Sequence, residues 1–557
     1  MSRAPSTTSP QPAAGTVDLV APPGAVDLDA EAGRIGIQEL RPAQRAAVEA
    51  LVAGRDVLAV IPTGGGKSAI YQVATEILDG VCVVVSPLLA LQEDQMDAIA
   101  SADLGEAVAI DGATSDSERA AIVDRLSSGA ARYLFATPEI LTDEAVVEAL
   151  ARIGVRLLAV DEAHCIVTWG HGFRPDYTVI GDVRRRLGTP LAVALTGSAD
   201  PRMRTDICRS LDMAEAEIVT SDLERTNIHL SVVGSSSADD AIDRIVEHLT
   251  PGEGKALVYV PTRALTVEIA ERLEATGQVA RPFHGGLPKS AKSEALGLIR
   301  SQQRCVIVAT TAFGMGIDVP DITTVVHLDM PDSLLAYYQE VGRGGRDGAP
   351  ARGAVFVSLR ARSRRAFGSG VRSTSVGECA AVYDAMRGGV VSRRRLAEQM
   401  PFGAGTVARA LSILEQAGAI ATRPRLAVTG AVELEVVERL RAEREEFDRS
   451  QLLAVERYRS SRHCRWSQIL TSLGESLERC GHCDVCEIVT EEVPDREFPV
   501  GTVVSHVDFG RGCVTSRRPD VIVVAFDEVG PKELSTELCV EHGLIEADPA
   551  ATPEAAG

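Results

Sequence analysis

Short, unbroken apolar runs separated by stretches of helical spacing fill the first two thirds of the chain. The runs lie at 57–61, 81–85, 133–136, 157–160 and 191–195; after a polar stretch at 221–227 they resume at 256–260, 306–309, 325–328 and 355–357. Strands apolar on both faces and alternating with amphipathic helices mark parallel sheets covered on both sides. The pattern predicts an α/β fold with two parallel-sheet domains, at 31–222 and 223–362. Helical periodicity then predicts helices over 376–386, from Ser392 and over 406–416, with a short β-wing at 420–428. That is a winged-helix arrangement, placed at 373–430. A long charged helix follows over 431–462 and opens a helical module at 431–490. From Phe498 the pattern switches to short alternating strands and glycine turns, predicting a small β-barrel at 497–546.

Composition changes this picture little. Residues 1–30 and 547–557, rich in small and polar residues, read as disordered tails. No apolar run approaches the ~18 residues of a membrane span, and no signal-peptide core is present. A cytoplasmic, nucleoid-associated protein without a membrane partner is expected. The net charge of −21 argues against a protein that coats nucleic acid, though not against one with a local basic channel. Eleven cysteines without a secretion signal suit a reducing compartment.

Ligands of parallel sheets bind at the carboxyl ends of the strands, so the residues just after each run carry the candidate chemistry. After the first run stands Pro62-Thr63-Gly64-Gly65-Gly66-Lys67-Ser68. Glycines let backbone N–H groups approach phosphates, Lys67 supplies a cation for the β/γ-phosphates, and Ser68 offers a hydroxyl to Mg²⁺. The strict P-loop pattern fails at its first position, which is Ile61. After the fourth run stands Asp161-Glu162-Ala163-His164. There Asp161 suits water-mediated Mg²⁺ coordination and Glu162 suits orienting an attacking water. Thr196 and Ser198, after the fifth run, are placed to sense a γ-phosphate. Between these sites lies an aromatic stretch with Trp169, His171, Phe173, Arg174 and Tyr177. It reads either as a packed loop or as a platform for unpaired bases, worth roughly 1–3 kcal/mol per stacked base.

The second domain has no P-loop of its own. It carries Arg343 and Arg346 among Gly342, Gly344 and Gly345. Arginines supplied across a cleft stabilise charge on a transferring phosphoryl group, and domain closure would then control hydrolysis. Arg360, Arg362, Arg364, Arg365 and Arg372 mark a basic linker. The winged helix offers Arg393, Arg394, Arg395 and Arg409, either to DNA phosphates or to packing. Cys480, Cys483 and Cys486 form overlapping CxxC steps, and Cys464 completes a tetrahedral structural Zn²⁺ site. His463 and His482 are spare candidates.

These motifs resemble the RecQ family of DNA helicases, which are built on two RecA-like domains. The matching stretches are Arg41 to Gln44, Pro62 to Ser68, Ser86 to Gln95, Asp161 to His164, the aromatic loop, Ala309 to Asp318, Tyr337 to Gly348 and the cysteine cluster. Gly197-Ser198 departs from the family's usual Ala-Thr while keeping the hydroxyl. The resemblance implies an ATP-dependent 3′→5′ helicase acting on single-stranded and forked DNA in recombination and repair. It implies that Gln44, supported by Arg41, reads adenine, and that Gln339 lines the nucleotide cleft with the two arginines. It also implies that Gly316 and Asp318 link the nucleotide and DNA sites, and that Trp169 and Phe173 meet DNA. The C-terminal barrel is similar to the Tudor-like module of UvrD/PcrA-type helicases, matching at Gly501, His506, Phe509, Gly510 and Gly512. That similarity implies a protein partner, RNA polymerase or a repair factor. Two other readings stay open: an RNA-dependent ATPase, and a partner-recruiting DNA-binding protein with a weak motor.

Overall fold

The structure, a computed structural model, describes residues 27–547 except 63, 87–88, 102–103, 168–176, 178, 250–253, 315–316, 318, 359–373, 390–391, 422–425, 491–497, 499–501, 519–520, 528, 536–538 and 540–543. The first lobe is a seven-stranded sheet of β1 (Val57–Val60), β2 (Val81–Val85), β3 (Glu106–Ile110), β4 (Ala131–Ala136), β5 (Val155–Val160), β6 (Leu191–Thr196) and β7 (Glu217–Thr220). The strand order is β3-β4-β2-β5-β6-β1-β7, and every pairing is parallel. Because β5, β6 and β1 are neighbours, the P-loop, the acidic pair and the Thr196–Ser198 turn leave the sheet side by side. The lobe begins earlier than the sequence suggested. Asp27 caps a helix at Leu28–Arg34 whose Leu28 and Ala32 are buried, so residues 27–30 belong to the folded domain and not to a tail.

The second lobe repeats the plan with β8 (Ile228–Ser235), β9 (Lys255–Tyr259), β10 (Ala280–Phe283), β11 (Cys305–Ala309), β12 (Ile322–Leu328) and β13 (Ala351–Ser358). Their order is β10-β11-β9-β12-β13-β8, again all parallel. The winged helix has helices Val376–Arg387, Arg393–Gln399 and Ala404–Gln416, with the wing strands β14 (Ile420–Ala421) and β15 (Ala427–Val428) antiparallel. Arg409 does not point outward as a free phosphate ligand. Its guanidinium donates to the hydroxyls of Thr374 and Thr406, inside the module.

The cysteine-bearing module packs on both lobes. Trp466, fully buried, donates its indole N–H to the Ile228 carbonyl at 3.0 Å, and Asp484 accepts from the Val232 amide at 3.0 Å. Both contacts fall on β8, the edge strand of the second sheet, and an isolated bridge pairs Leu230 with Cys483 there. On the first lobe Arg204 donates to the Leu473 carbonyl and to Glu475, at 3.3 and 3.0 Å. Gly474, at φ +83°, lies close over Pro201.

The described residues from Glu487 on form a separate compact unit. Its sheet holds β16 (Val503–His506), β17 (Gly510–Arg518), β18 (Val521–Phe526), β19 (Gly530–Ser535) and β20 (Ile545–Ala547). The order is β19-β18-β17-β16-β20, all antiparallel. It curls around Val504, Val514, Ile522, Val524 and Phe526, with His506 stacked on Phe509 at 4.6 Å. Among the described residues no helix is long and apolar enough to cross a membrane.

Candidate active site and metal centre

The P-loop is a tight glycine turn held from two sides. Gly64 and Gly66 adopt φ of +81° and +72°, a region that side chains with a Cβ rarely occupy. Gly65 is required for another reason: a Cβ there would lie 2.4 Å from Ile61 Cγ2 and 2.8 Å from the Pro62 carbonyl. Gln44, almost fully buried, donates from Nε2 to the carbonyls of Gly65 and Gly66 at 3.0 and 2.9 Å. Its Oε1 accepts from the Arg41 amide at 2.8 Å. Arg41 itself donates to the Gly64 carbonyl at 3.4 Å. The glutamine therefore braces the P-loop here, a role that motif spacing did not reveal. Lys67 Nζ donates to the Ile61 carbonyl at 3.4 Å, and Ser68 begins the helix Ser68–Leu78, whose N-terminal N–H groups favour an anion. Thr63 lies outside the described residues.

The acidic pair sits where β5 ends. Asp161 Oδ1 accepts from the Glu162 amide at 2.9 Å, and Tyr177 donates its hydroxyl to the Asp161 carbonyl at 3.0 Å. Burial, and then the Glu162 carboxylate, push the Asp161 carboxyl up to about 7, while Lys67 pulls it back. A cation at these oxygens would restore the charged form. Glu162 has a left-handed backbone, φ 49° and ψ 44°, which costs a residue with a Cβ on the order of 1–3 kcal/mol. That turn brings its carboxylate 3.3 Å from His164 Nδ1, which also lies 3.2 Å from Thr196 Oγ1. Thr196 donates to the Ser198 carbonyl at 3.0 Å, and both side chains are fully buried.

The second lobe meets this cluster directly. Gln339, on the helix Leu334–Val341, donates to Ser198 Oγ at 3.0 Å across the lobe boundary. The two arginines divide. A methyl group built on Gly64 would lie 3.5 Å from Arg346 Cβ and Cγ, so Arg346 lies over the P-loop. Arg343 is buried and donates to the Ile317 carbonyl of its own lobe at 3.3 Å. Between the lobes lies a cleft of about 600 Å³, lined by Gln44, Ile61 and Gly65 on one wall and Arg225, Gly345 and Arg346 on the other. That is the size of a small-molecule site. Trp169, His171, Phe173, Arg174, Gly316, Asp318 and the basic linker from Arg360 to Arg372 lie outside the described residues.

The Sγ atoms of Cys464, Cys480, Cys483 and Cys486 all lie within 4.8 Å of one another, and Cys480 and Cys486 are 3.8 Å apart. With a Zn–S bond of ~2.3 Å, the edge of a tetrahedron is about 3.8 Å, so the cage fits zinc. Backbone N–H groups of Arg465, Ser467, Cys480 and His482 point at these sulfurs, the surroundings that thiolate ligands need. His482 stands beside the four-thiol cage, its Nδ1 2.8 Å from the Cys480 carbonyl oxygen and its Nε2 3.7 Å from Glu224, with which it and Cys480 form a second group of close ligand atoms.

Comparison with known proteins agrees with this geometry. Residues 41–202 match the family described as DEAD/DEAH box helicase, 239–348 the helicase conserved C-terminal domain, and 432–487 the RecQ zinc-binding domain. The chain is 36% identical over 327 residues to the probable ATP-dependent DNA helicase RecS of Bacillus subtilis, covering 58% of this chain and 65% of that protein. It is 35% identical over 334 residues to the ATP-dependent DNA helicase RecQ of Synechocystis, covering 58% and 69%. The chain spans between half and two thirds of the length of several such relatives. Among solved structures, the DUF1998 helicase MrfA bound to DNA and AMPPNP has the same fold, with TM-score 0.52 and 16% identity over 73% of this chain and 62% of that one.

Proposed function

The chain belongs to the RecQ family of ATP-dependent DNA helicases, and from that premise we propose that it hydrolyses ATP to move 3′→5′ along single-stranded DNA and separate duplex ahead of it. The observation that carries the proposal is Arg346 lying over Gly64, because it joins a P-loop on one lobe to an arginine on the other.

In this reading the P-loop amides from Gly64 to Ser68 cradle the phosphates of ATP, and Lys67 neutralises the β/γ-oxygens. Ser68 and Asp161 would hold Mg²⁺, which would supply neutralising positive charge to the phosphates. Glu162, fixed by its left-handed turn and by His164, orients water for attack on the γ-phosphorus and accepts its proton. Arg346 stabilises charge on the transferring group, and Arg343 joins it as the lobes close. Gln339, Ser198 and Thr196 carry the state of the γ-phosphate across the lobe boundary through hydrogen bonds. Gln44 braces the loop, and to read adenine with Arg41 beside it the glutamine would have to release the Gly65 or Gly66 carbonyl.

Trp169, His171, Phe173 and Arg174 form the DNA contact, close after the acidic pair in sequence, so base stacking bears on Glu162. Gly316 and Asp318 serve the link between the two sites. The cysteine module is a structural zinc fold. The C-terminal unit docks a protein partner, RNA polymerase or a repair factor, and the protein works in the cytoplasm on nucleoid DNA during recombination and repair.

The test combines ATPase assays on single-stranded DNA and RNA with strand displacement on 3′-tailed, 5′-tailed and forked duplexes. DNA stimulation with displacement of 3′-tailed and forked substrates is expected. Stimulation by RNA alone would overturn the DNA assignment, and displacement from 5′ tails alone would reverse the polarity.

A further inference from the structure

We propose that Arg225, in the segment joining the two lobes, is a positioning residue that sets how far Arg346 reaches into the nucleotide cleft; this rests on the reading of that cleft as an ATPase site. Residues 221–227 have the composition of an ordinary linker, yet Ser221, Leu223, Arg225 and Asn227 are each hydrogen-bonded to one lobe or the other. At one end the Ser221 amide donates to the Val60 carbonyl at 3.1 Å, continuing the β1–β7 ladder up to the residue before Ile61. At the other end Arg225 donates to three glycine carbonyls of the arginine turn. NH1 reaches Gly342 at 3.2 Å, and NH2 reaches Gly344 at 3.0 Å and Gly345 at 2.7 Å. Its Nε donates to Asn227 Oδ1 at 3.3 Å.

Asn227 in turn donates from Nδ2 to the carbonyls of Gly345 and Ala349, both at 2.8 Å. Gly345 sits at φ +55°, and a Cβ there would lie 2.4 Å from Asn227 Nδ2, so the turn must be glycine for this clamp to close. Tyr338 adds a hydrogen bond from its hydroxyl to the Leu223 carbonyl at 3.0 Å. The residue that follows Gly345 is Arg346.

Two consequences follow from this geometry. The P-loop strand and Arg346 are joined by a route only a few residues long, from Val60 through Ser221 and Arg225 to the turn, and not merely by the long path through the second lobe. Rotation of the lobes strains that route, so Arg346 approaches or leaves the phosphates in step with it. Arg225 itself lines the cleft, but four of its N–H donors are spent on protein acceptors. Its work is done through Arg346, not by contact with ATP. A turn that loses such a clamp misplaces its arginine, and a displacement of about 1 Å costs on the order of a hundredfold in rate.

The experiment measures steady-state ATPase on saturating single-stranded DNA for full-length wild type, R225A, R225K, N227A, R346K and R225A/R346K, with fluorescent-ATP binding and thermal melting beside it. R225A is expected to lower kcat by about ten- to a hundredfold while leaving KM and nucleotide affinity within about threefold. R225K, which restores one donor, should recover part of the rate, and N227A should fall between it and wild type. In the R346K background the R225A change should cost no more than about twofold, because both act through one group. If the two substitutions multiply, or if R225A turns over ATP as wild type does, the positioning role is wrong. Equal loss of kcat and nucleotide affinity would likewise reduce Arg225 to a folding role. Should R225A fail to fold, N227A carries the same comparison. A wild-type protein inactive with every nucleic acid would instead refute the ATPase reading itself.

Discussion

Glu162 adopts a backbone conformation that few residues with a Cβ accept, and it does so beside the carboxylate proposed to hold Mg²⁺. Strain kept at such a point fixes the direction of its side chain. Replacing Glu162 by Gln keeps the shape and removes the proton acceptor. E162Q should therefore bind ATP normally but turn it over about 10²–10⁴ times more slowly, as single-turnover hydrolysis would show. Ile61 has a different kind of consequence. It stands where the strict P-loop pattern has glycine, and its Cγ2 fills the space that a side chain at 65 would need. G65A should deform the loop and weaken ATP binding about tenfold or more, readable by titration with a fluorescent analogue. The motif letters made Lys67, Ser68, Asp161 and Glu162 legible because phosphate and metal chemistry demands those residue types. Gln44's grip on Gly65 and Gly66 was not legible, since nothing in its spacing distinguishes reading a base from bracing a loop.

At the level of elements, the strands that the sequence did not announce are β3, β7, β8 and β10, and these are the four edges of the two parallel sheets. Central strands are buried on both faces and read as continuous apolar runs. Edge strands such as β7 (Glu217–Thr220), mostly exposed or half-buried, lose that signal. The same limit hid Arg225 and Asn227, whose partners are backbone carbonyls that no side-chain pattern records. The cysteine cluster was legible because thiolate spacing is dictated by the metal. Structural zinc contributes on the order of 10 kcal/mol or more to such a module. Removing it with a chelator, or substituting C480S, should release one zinc per chain and unfold the module below the melting point of the lobes. An unchanged melting curve after complete zinc release would show the cluster to be idle in folding.

On the scale of the whole molecule, the zinc module holds both lobes. On the first lobe the hold runs through Arg204, Glu475 and the contact of Gly474 with Pro201. The Arg204–Glu475 pair is partly solvated, with the two side chains 14% and 35% exposed. A double-mutant cycle of R204A and E475A by urea denaturation should give a coupling of roughly 0.5–1 kcal/mol, the upper part of the range for solvated pairs. A net charge of −21 also means that the proposed attraction to DNA has to come from local cations. The module's other hold, on β8, bears on how the protein is made. Trp466 and Asp484 satisfy backbone groups on an open sheet edge, yet they are synthesised well after β13 has completed that sheet. At ribosomal speeds of ~5–20 residues per second, the intervening stretch keeps the edge bare for on the order of ten seconds. An uncovered parallel-sheet edge is a template for pairing with a neighbouring nascent chain. Zinc limitation is therefore expected to lower the yield of folded protein during translation, readable as the soluble fraction made at restricted zinc supply.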